Sequence, residues 1–229
     1  MILSSILLAA AIVPARILFL GNSHTANCNV PSMVKSIIES DSKGRKIETE
    51  MITGGLLDDL SMRDDVVKSV KSGEWDVIVL QGAKMSSSHK YSYSQENAIS
   101  LAKLAKQSGS RVLLFAEWPR RGWQETEFIL NIYNQISKAS GSEVVPTCRA
   151  WDEALAKDAR LGMWLPDGNH SSLQGAYLAA LTIATFIVSD PRWLPNWRPT
   201  EVSSGTATMF RAVAMKVWKN SQGTHQLKK

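Results

Sequence analysis

Two short stretches of this chain carry side chains that could do covalent chemistry together. Near the amino end, Gly21-Asn22-Ser23-His24-Thr25 places a serine directly after the apolar run Ile17-Leu18-Phe19-Leu20 and just ahead of a helical pattern. A hydroxyl at a strand-to-helix turn projects above its sheet, and N–H groups near the helix start can bind the negative charge that develops on a carbonyl oxygen. Near the other end, Leu165-Pro166-Asp167-Gly168-Asn169-His170 sets a carboxylate three residues ahead of a histidine, before a long apolar stretch. A histidine so placed can take the serine proton as general base and return it to a leaving alcohol, while the aspartate fixes its tautomer. Taken singly, each stretch reads equally well as local structure. Ser23 or Thr25 could cap a helix, and Asp167-Gly168 could be a turn with Asn169 or Ser171 capping the next helix.

The elements that must position them alternate. Strands are predicted over 16–20, 47–52, 75–80, 111–115 and 143–145, and helical spacing predicts helices over 31–40, 57–70, 94–107, 125–139, 150–159 and 172–189. Such alternation implies a parallel sheet with right-handed crossovers and helices on both faces, an α/β/α arrangement whose loops gather at the carboxyl ends of the strands. The segment 190–199 holds three prolines and two tryptophans and predicts an irregular stretch before a last helix over 206–218.

A serine after the first strand and an Asp-x-x-His before the last long helix, on a five-strand α/β frame, resemble the SGNH (GDSL-like) hydrolases. The resemblance covers 16–188. It implies a flavodoxin-like α/β/α fold, no cofactor and no metal, and an esterase in which Ser23 is the nucleophile and Asp167 and His170 complete a triad. It also implies an oxyanion hole built from Ser23 and a glycine of Thr53-Gly54-Gly55, with Gly54 preferred and Gly55 the alternative. The family's Gly-x-Asn after the third strand is missing: Val79-Leu80-Gln81-Gly82-Ala83 stands there. Gln81 carries an amide donor at the same level and is the expected substitute, as in branches that resemble sialate O-acetylesterases. Since the resemblance leans to acetylesterases and the chain shows no long apolar lid, the expected substrates are O-acetyl groups on carbohydrate. A short-chain lipase, thioesterase or arylesterase, and a carbohydrate-binding protein without activity, are the alternatives.

The loop Glu117-Trp118-Pro119-Arg120-Arg121-Gly122-Trp123 belongs to the same edge. Trp118 and Arg120, with Trp164, are expected to bind substrate through ring stacking or hydrogen bonds, packing being the other reading. His24 is expected to shape the nucleophile loop, and His89 lies in a serine-rich loop (Ser86, Ser87, Ser88) expected to cover the site.

Composition narrows the remaining classes. The chain has 229 residues, 44% of them hydrophobic and 21% charged, which suits one globular domain over 16–229. The formal charge of +5 comes from scattered residues and gives little support for nucleic acid. No GxGxxG or GxxxxGK[ST] motif occurs, which sets aside a nucleotide-binding reading, and no HExxH-like spacing occurs among His24, His89, His170 and His225. Residues 1–15 are uncharged and apolar and end in Val13-Pro14-Ala15, so a short signal peptide and a secreted or periplasmic protein are expected; an extra apolar element is the alternative. The apolar stretch 176–188 is shorter than a membrane span and predicts a buried helix. Cys28 and Cys148 fit either one disulfide or two buried thiols.

Overall fold

The computed structural model describes residues 16–41 and 44–226; the proposed leader at 1–15 lies outside them. Five strands, β1 (Arg16–Gly21), β2 (Glu48–Thr53), β3 (Val77–Leu80), β4 (Arg111–Ala116) and β5 (Glu143–Pro146), form one sheet in the order β2-β1-β3-β4-β5. Every pairing is parallel. The expected α/β/α frame is therefore present, and each strand lies within about two residues of its predicted span.

Alternation along the strands divides the core in two. Ile17, Phe19, Val79, Leu113, Phe115 and Val145 point to one face, packed by α2 (Val30–Glu39), α7 (Thr147–Lys157), α8 (Leu173–Val188) and α9 (Ser204–Gln226). Leu18, Leu20, Ile78, Leu80, Val112 and Leu114 point to the other, packed by α3 (Leu57–Ser61), α4 (Asp64–Lys71), α5 (Glu96–Gln107) and α6 (Thr126–Ser140). α8 is buried from Gly175 to Val188, because the sheet covers one side and α9 the other. It is a core helix, as its length implied, and no described helix is long and apolar enough to cross a membrane.

One expectation changes and one open alternative is settled. The single helix over 57–70 is two helices, with Met62 and Arg63 between them. Arg63 takes an extended backbone and donates to the Thr53 carbonyl at 2.8 Å and to both Asp65 oxygens, at 3.0 and 2.6 Å. That tie to the end of β2 breaks the helical run, and Asp64 and Asp65 then favour a fresh start through the helix dipole. Cys28 and Cys148 are both free. They pack into the two different cores, which leaves no disulfide between them.

The chain turns back at β1, whose neighbours β2 and β3 lie on opposite sides. In open parallel sheets the crevice at such a reversal is where ligands bind. Ser23 stands there, at the start of the short helix α1 (Ser23–Ala26).

Candidate active site

The turn after β1 has no spare room. A Cβ on Gly21 would lie 2.4 Å from Thr25 Oγ1 and 2.7 Å from Gln81 Oε1, so only glycine lets the strand end so close to both. Asn22 caps α1, its Oδ1 accepting the His24 N–H at 3.0 Å. Ser23 therefore occupies the first helical position, exposed, with its N–H free of any acceptor among the described residues.

Across the sheet edge the Asp167–His170 segment folds as a tight hairpin. Leu165 N–H donates to the His170 carbonyl at 2.8 Å, Ser172 N–H to the Met163 carbonyl at 2.9 Å, and Trp164 bridges Ser171. The hairpin brings the three expected residues together. His170 Nε2 is 2.9 Å from Ser23 Oγ, and His170 Nδ1 is 2.7 Å from Asp167 Oδ2. Asp167 Oδ1 accepts the N–H groups of Asn169 and His170 at 2.9 and 3.0 Å. These bonds, the imidazole first, hold the Asp167 carboxyl down at about 2 despite its exposure. The aspartate is thus ionised throughout the neutral range, which favours the tautomer with Nδ1 protonated and Nε2 open to the serine proton.

Several residues outside the triad fix the two loops against each other. Asn27 Nδ2 donates to the Ser171 carbonyl at 2.7 Å, tying the end of α1 to the hairpin. Trp118 Nε1 donates to the Asn169 carbonyl at 2.9 Å, Arg121 N–H to the Gly168 carbonyl at 2.8 Å, and the Arg121 guanidinium to the Leu165 carbonyl at 2.6 Å. Asn27 and Arg121 left no mark in the sequence, because a bond to a backbone carbonyl demands no side-chain partner at a fixed spacing.

The loop after β4 was expected to bind substrate; Trp118 and Arg120 line the cleft beside the triad, and the loop's residues also make bonds within the protein. Trp118 is only 2% exposed and stacks on Trp151 at 4.8 Å, and Trp164 packs edge-on against Trp151 while donating to the Pro119 carbonyl. Both hold the hairpin, and Trp118 also lines the cleft. Arg120 is bound to Glu125 through its side chain at 2.5 Å and to the Ser87 carbonyl at 2.7 Å, so its charge is already answered. Burial works against the Glu125 carboxylate, but Arg120 and His89 hold its pKa below the ordinary range. His89, 2.8 Å from Glu125 and stacked on Phe128, ties the serine-rich loop to the start of the next helix, and Ser86 and Ser87 line the cleft.

The oxyanion assignments also change. The Gly54 N–H donates to the Gly21 carbonyl at 3.2 Å, continuing the strand pairing, and is not available for a second acceptor. Gly55, at φ +81°, has an N–H with no acceptor among the described residues, so of the two it is the one left free to donate. Gln81 is fully buried, and its Oε1 accepts the Asn22 N–H at 3.0 Å and the Thr25 hydroxyl at 2.9 Å. Its Nε2 is turned inward, toward Glu117, and reaches no substrate. Glutamine is one methylene longer than the asparagine it replaces, which lets it reach back beneath the turn.

Beside the triad lies a cleft of about 410 Å³, bounded by Asn22, His24 and Asn169 on the triad side and by Ala83, Met85, Phe128 and Ile129 beyond. His24 stacks on His170 at 5.4 Å and meets Trp118 at 5.0 Å. Burial, and next the neighbouring His170, push its pKa down to about 4. It is a neutral wall beside the base.

No family model and no curated protein matches the sequence. Solved structures do. A protein from Slackia heliotrinireducens assigned to the SGNH hydrolases is 23% identical, with a TM-score of 0.56 over 74% of this chain and 97% of that one. A DUF4886 family protein from Bacteroides uniformis is 15% identical, with a TM-score of 0.63 over 88% and 93%. An acetyl xylan esterase is 16% identical, with a TM-score of 0.55 over 72% and 96%. At these identities the likeness shows the fold, which is the α/β/α fold of SGNH hydrolases.

Proposed function

We propose that the chain is a serine esterase that removes short acyl groups, O-acetyl groups on carbohydrate being the favoured substrates. The observation that carries this reading is the continuous relay from Asp167 through His170 to Ser23, at 2.7 and 2.9 Å, on the carboxyl edge of the sheet. In the reaction His170 Nε2 takes the Ser23 proton as Oγ attacks the ester carbonyl carbon. The oxyanion that forms is met by the N–H groups of Ser23 and Gly55, with the Asn22 side chain bordering the same cleft. The imidazolium, stabilised by Asp167, then protonates the leaving alcohol. Water attacks the acyl-enzyme by the same route in reverse roles and releases the acid.

A cleft of about 410 Å³ lies toward the lower end of the roughly 300–1,000 Å³ range for small-molecule sites, which supports a short acyl group over a fatty one. The acetyl xylan esterase among the structures of this fold fits the same reading. If 1–15 is a signal, the enzyme works outside the cytoplasm, and the intact mass of exported protein checks that step. The direct test is hydrolysis of p-nitrophenyl esters from acetate to octanoate. Activity falling steeply beyond butyrate and lost in Ser23→Ala is expected. Equal rates on acetate and octanoate would replace the short-acyl reading with a lipase, and a fully active Ser23→Ala would end the serine mechanism.

A further inference from the structure

Beneath the triad lies a buried polar network that the proposed reaction does not use directly. Glu117, at the end of β4, accepts the Tyr133 hydroxyl at 2.5 Å. The Tyr133 oxygen accepts the N–H groups of Gly82 and Ala83 at 3.1 and 3.3 Å. On its other side the Glu117 carboxyl lies near Gln81 Nε2, a buried donor with no hydrogen-bond partner of its own among the described residues. Gln81 in turn holds the Asn22 N–H and the Thr25 hydroxyl, on either side of Ser23. Gln81 and Tyr133 are fully buried and Glu117 is 6% exposed.

The hydrogen count of this network is fixed. Tyr133 has one hydroxyl proton, and its oxygen already takes two amides, so the proton goes to Glu117. The Gln81 carbonyl oxygen takes two donors, so only its NH₂ remains to face Glu117. Both neighbours offer hydrogens and neither offers an acceptor. A carboxylate accepts from Tyr133 and offers Gln81 the acceptor it lacks; a protonated acid has one hydrogen too many.

We propose that Glu117 is a positioning residue for the esterase reaction: through Gln81 it sets the Ser23 turn, and through Tyr133 it sets the loop after β3. The inference rests on the esterase reading for its kinetic test but not for its structural one. Burial pushes the Glu117 pKa up to about 7, so the network changes state in the neutral range. The titratable and charged groups around it are Tyr133 from α6, Glu125 just ahead of that helix, Cys148 from α7, and His24 and Arg120 across the cleft. Glu125 adds to the upward push, and Arg120 is neutralised by that same carboxylate.

The test is an exchange. Glu117→Gln sets two amide NH₂ groups against each other, and Gln81→Glu sets two carboxylates against each other. In the double variant the carboxylate at position 81 accepts from Asn22, Thr25 and the amide at position 117, whose own oxygen accepts from Tyr133, so the network closes again. Each single variant is expected to lose about a hundred-fold in kcat with KM little changed, the scale set by a misplacement of roughly 1 Å. The pair is expected to recover to within about ten-fold of the parent, and the kcat profile of Glu117→Gln to lack the ionisation near pH 7. Crystal structures of the three variants give the Ser23 Oγ to His170 Nε2 separation, expected to lengthen in the singles and return in the pair. A double variant no better than either single overturns the proposal, as does Glu117→Gln with parental kcat and pH profile. A parent that hydrolyses no ester ends the esterase reading instead; the crystallographic separation then decides, and an unchanged distance in Glu117→Gln overturns the positioning role.

Discussion

Asp167 has 47% of its side chain accessible, and its acidity comes from hydrogen bonds rather than from burial. Its carboxyl, held at about 2, sits below the ordinary aspartate value near 3.9. Any contribution it makes to folding is present above about pH 4 and is lost as pH falls through about 2. Loss of activity above about pH 4 therefore belongs to another group. Asp167→Asn removes the charge that favours the Nδ1-protonated imidazole and should lower kcat roughly 10³- to 10⁴-fold while leaving the fold intact. Steady-state rates on an acetate ester, beside a circular dichroism melt, check both halves. A loss under ten-fold would mean that the two Asp167-bound amides and solvent orient His170 without the carboxylate's charge.

At the scale of elements, the central strands were the most legible part of the sequence, because a strand buried on both faces is a short apolar run, whereas the edge strand β2 is half-exposed and mixes Glu and Thr with its apolar residues. The triad was legible for a related reason: Ser23 and the Asp167–His170 pair sit where strand or hairpin ends, and their local geometry comes from short-range bonds. Gln81 was misjudged because its type announces a donor but not its direction, and the direction is set by Asn22, Thr25 and Glu117 from other elements. Gly54 and Gly55 differ only in which N–H continues the strand pairing, a tertiary fact. Tyr133 reads as one more helix residue facing the core. The hairpin's dependence on its surroundings gives a prediction at Gly175 in the first turn of α8. A Cβ there would lie 2.3 Å from the Met163 carbonyl oxygen and 2.6 Å from the Trp151 ring, and a backbone carbonyl cannot step aside. Met163 also accepts the Ser172 N–H that closes the hairpin. Gly175→Ala should cost about 1–3 kcal/mol by overpacking and reduce activity with it. Gly162→Ala, with nothing within 4 Å of its Cβ, should stay within about 0.5 kcal/mol. Urea denaturation of the two variants separates steric conflict from a general intolerance of alanine.

For the whole molecule, the buried network sets stability against readiness to react. Glu117 has a folded pKa raised to about 7 from an ordinary value of 4.5, chiefly by burial. Between those values the folded protein holds a proton that the unfolded chain has already released, so stability falls as pH rises through that window. A shift of this size corresponds to on the order of 3 kcal/mol between pH 4 and pH 8. Yet the ionised form is the one whose hydrogen-bond pattern the neighbours complete, so the state that best orders the Ser23 turn is the one that costs the fold most. Urea unfolding at pH 5 and pH 8 should show the parent losing stability toward the higher pH. Glu117→Gln, which has nothing to ionise at that position, should show a visibly smaller loss across the same interval, even though its mismatched amides lower stability at both ends. Because other groups titrate in common, the difference between the two slopes isolates Glu117. Parallel slopes would mean that the buried carboxyl keeps one protonation state throughout, and the coupling of stability to the order of the nucleophile turn would fail with it.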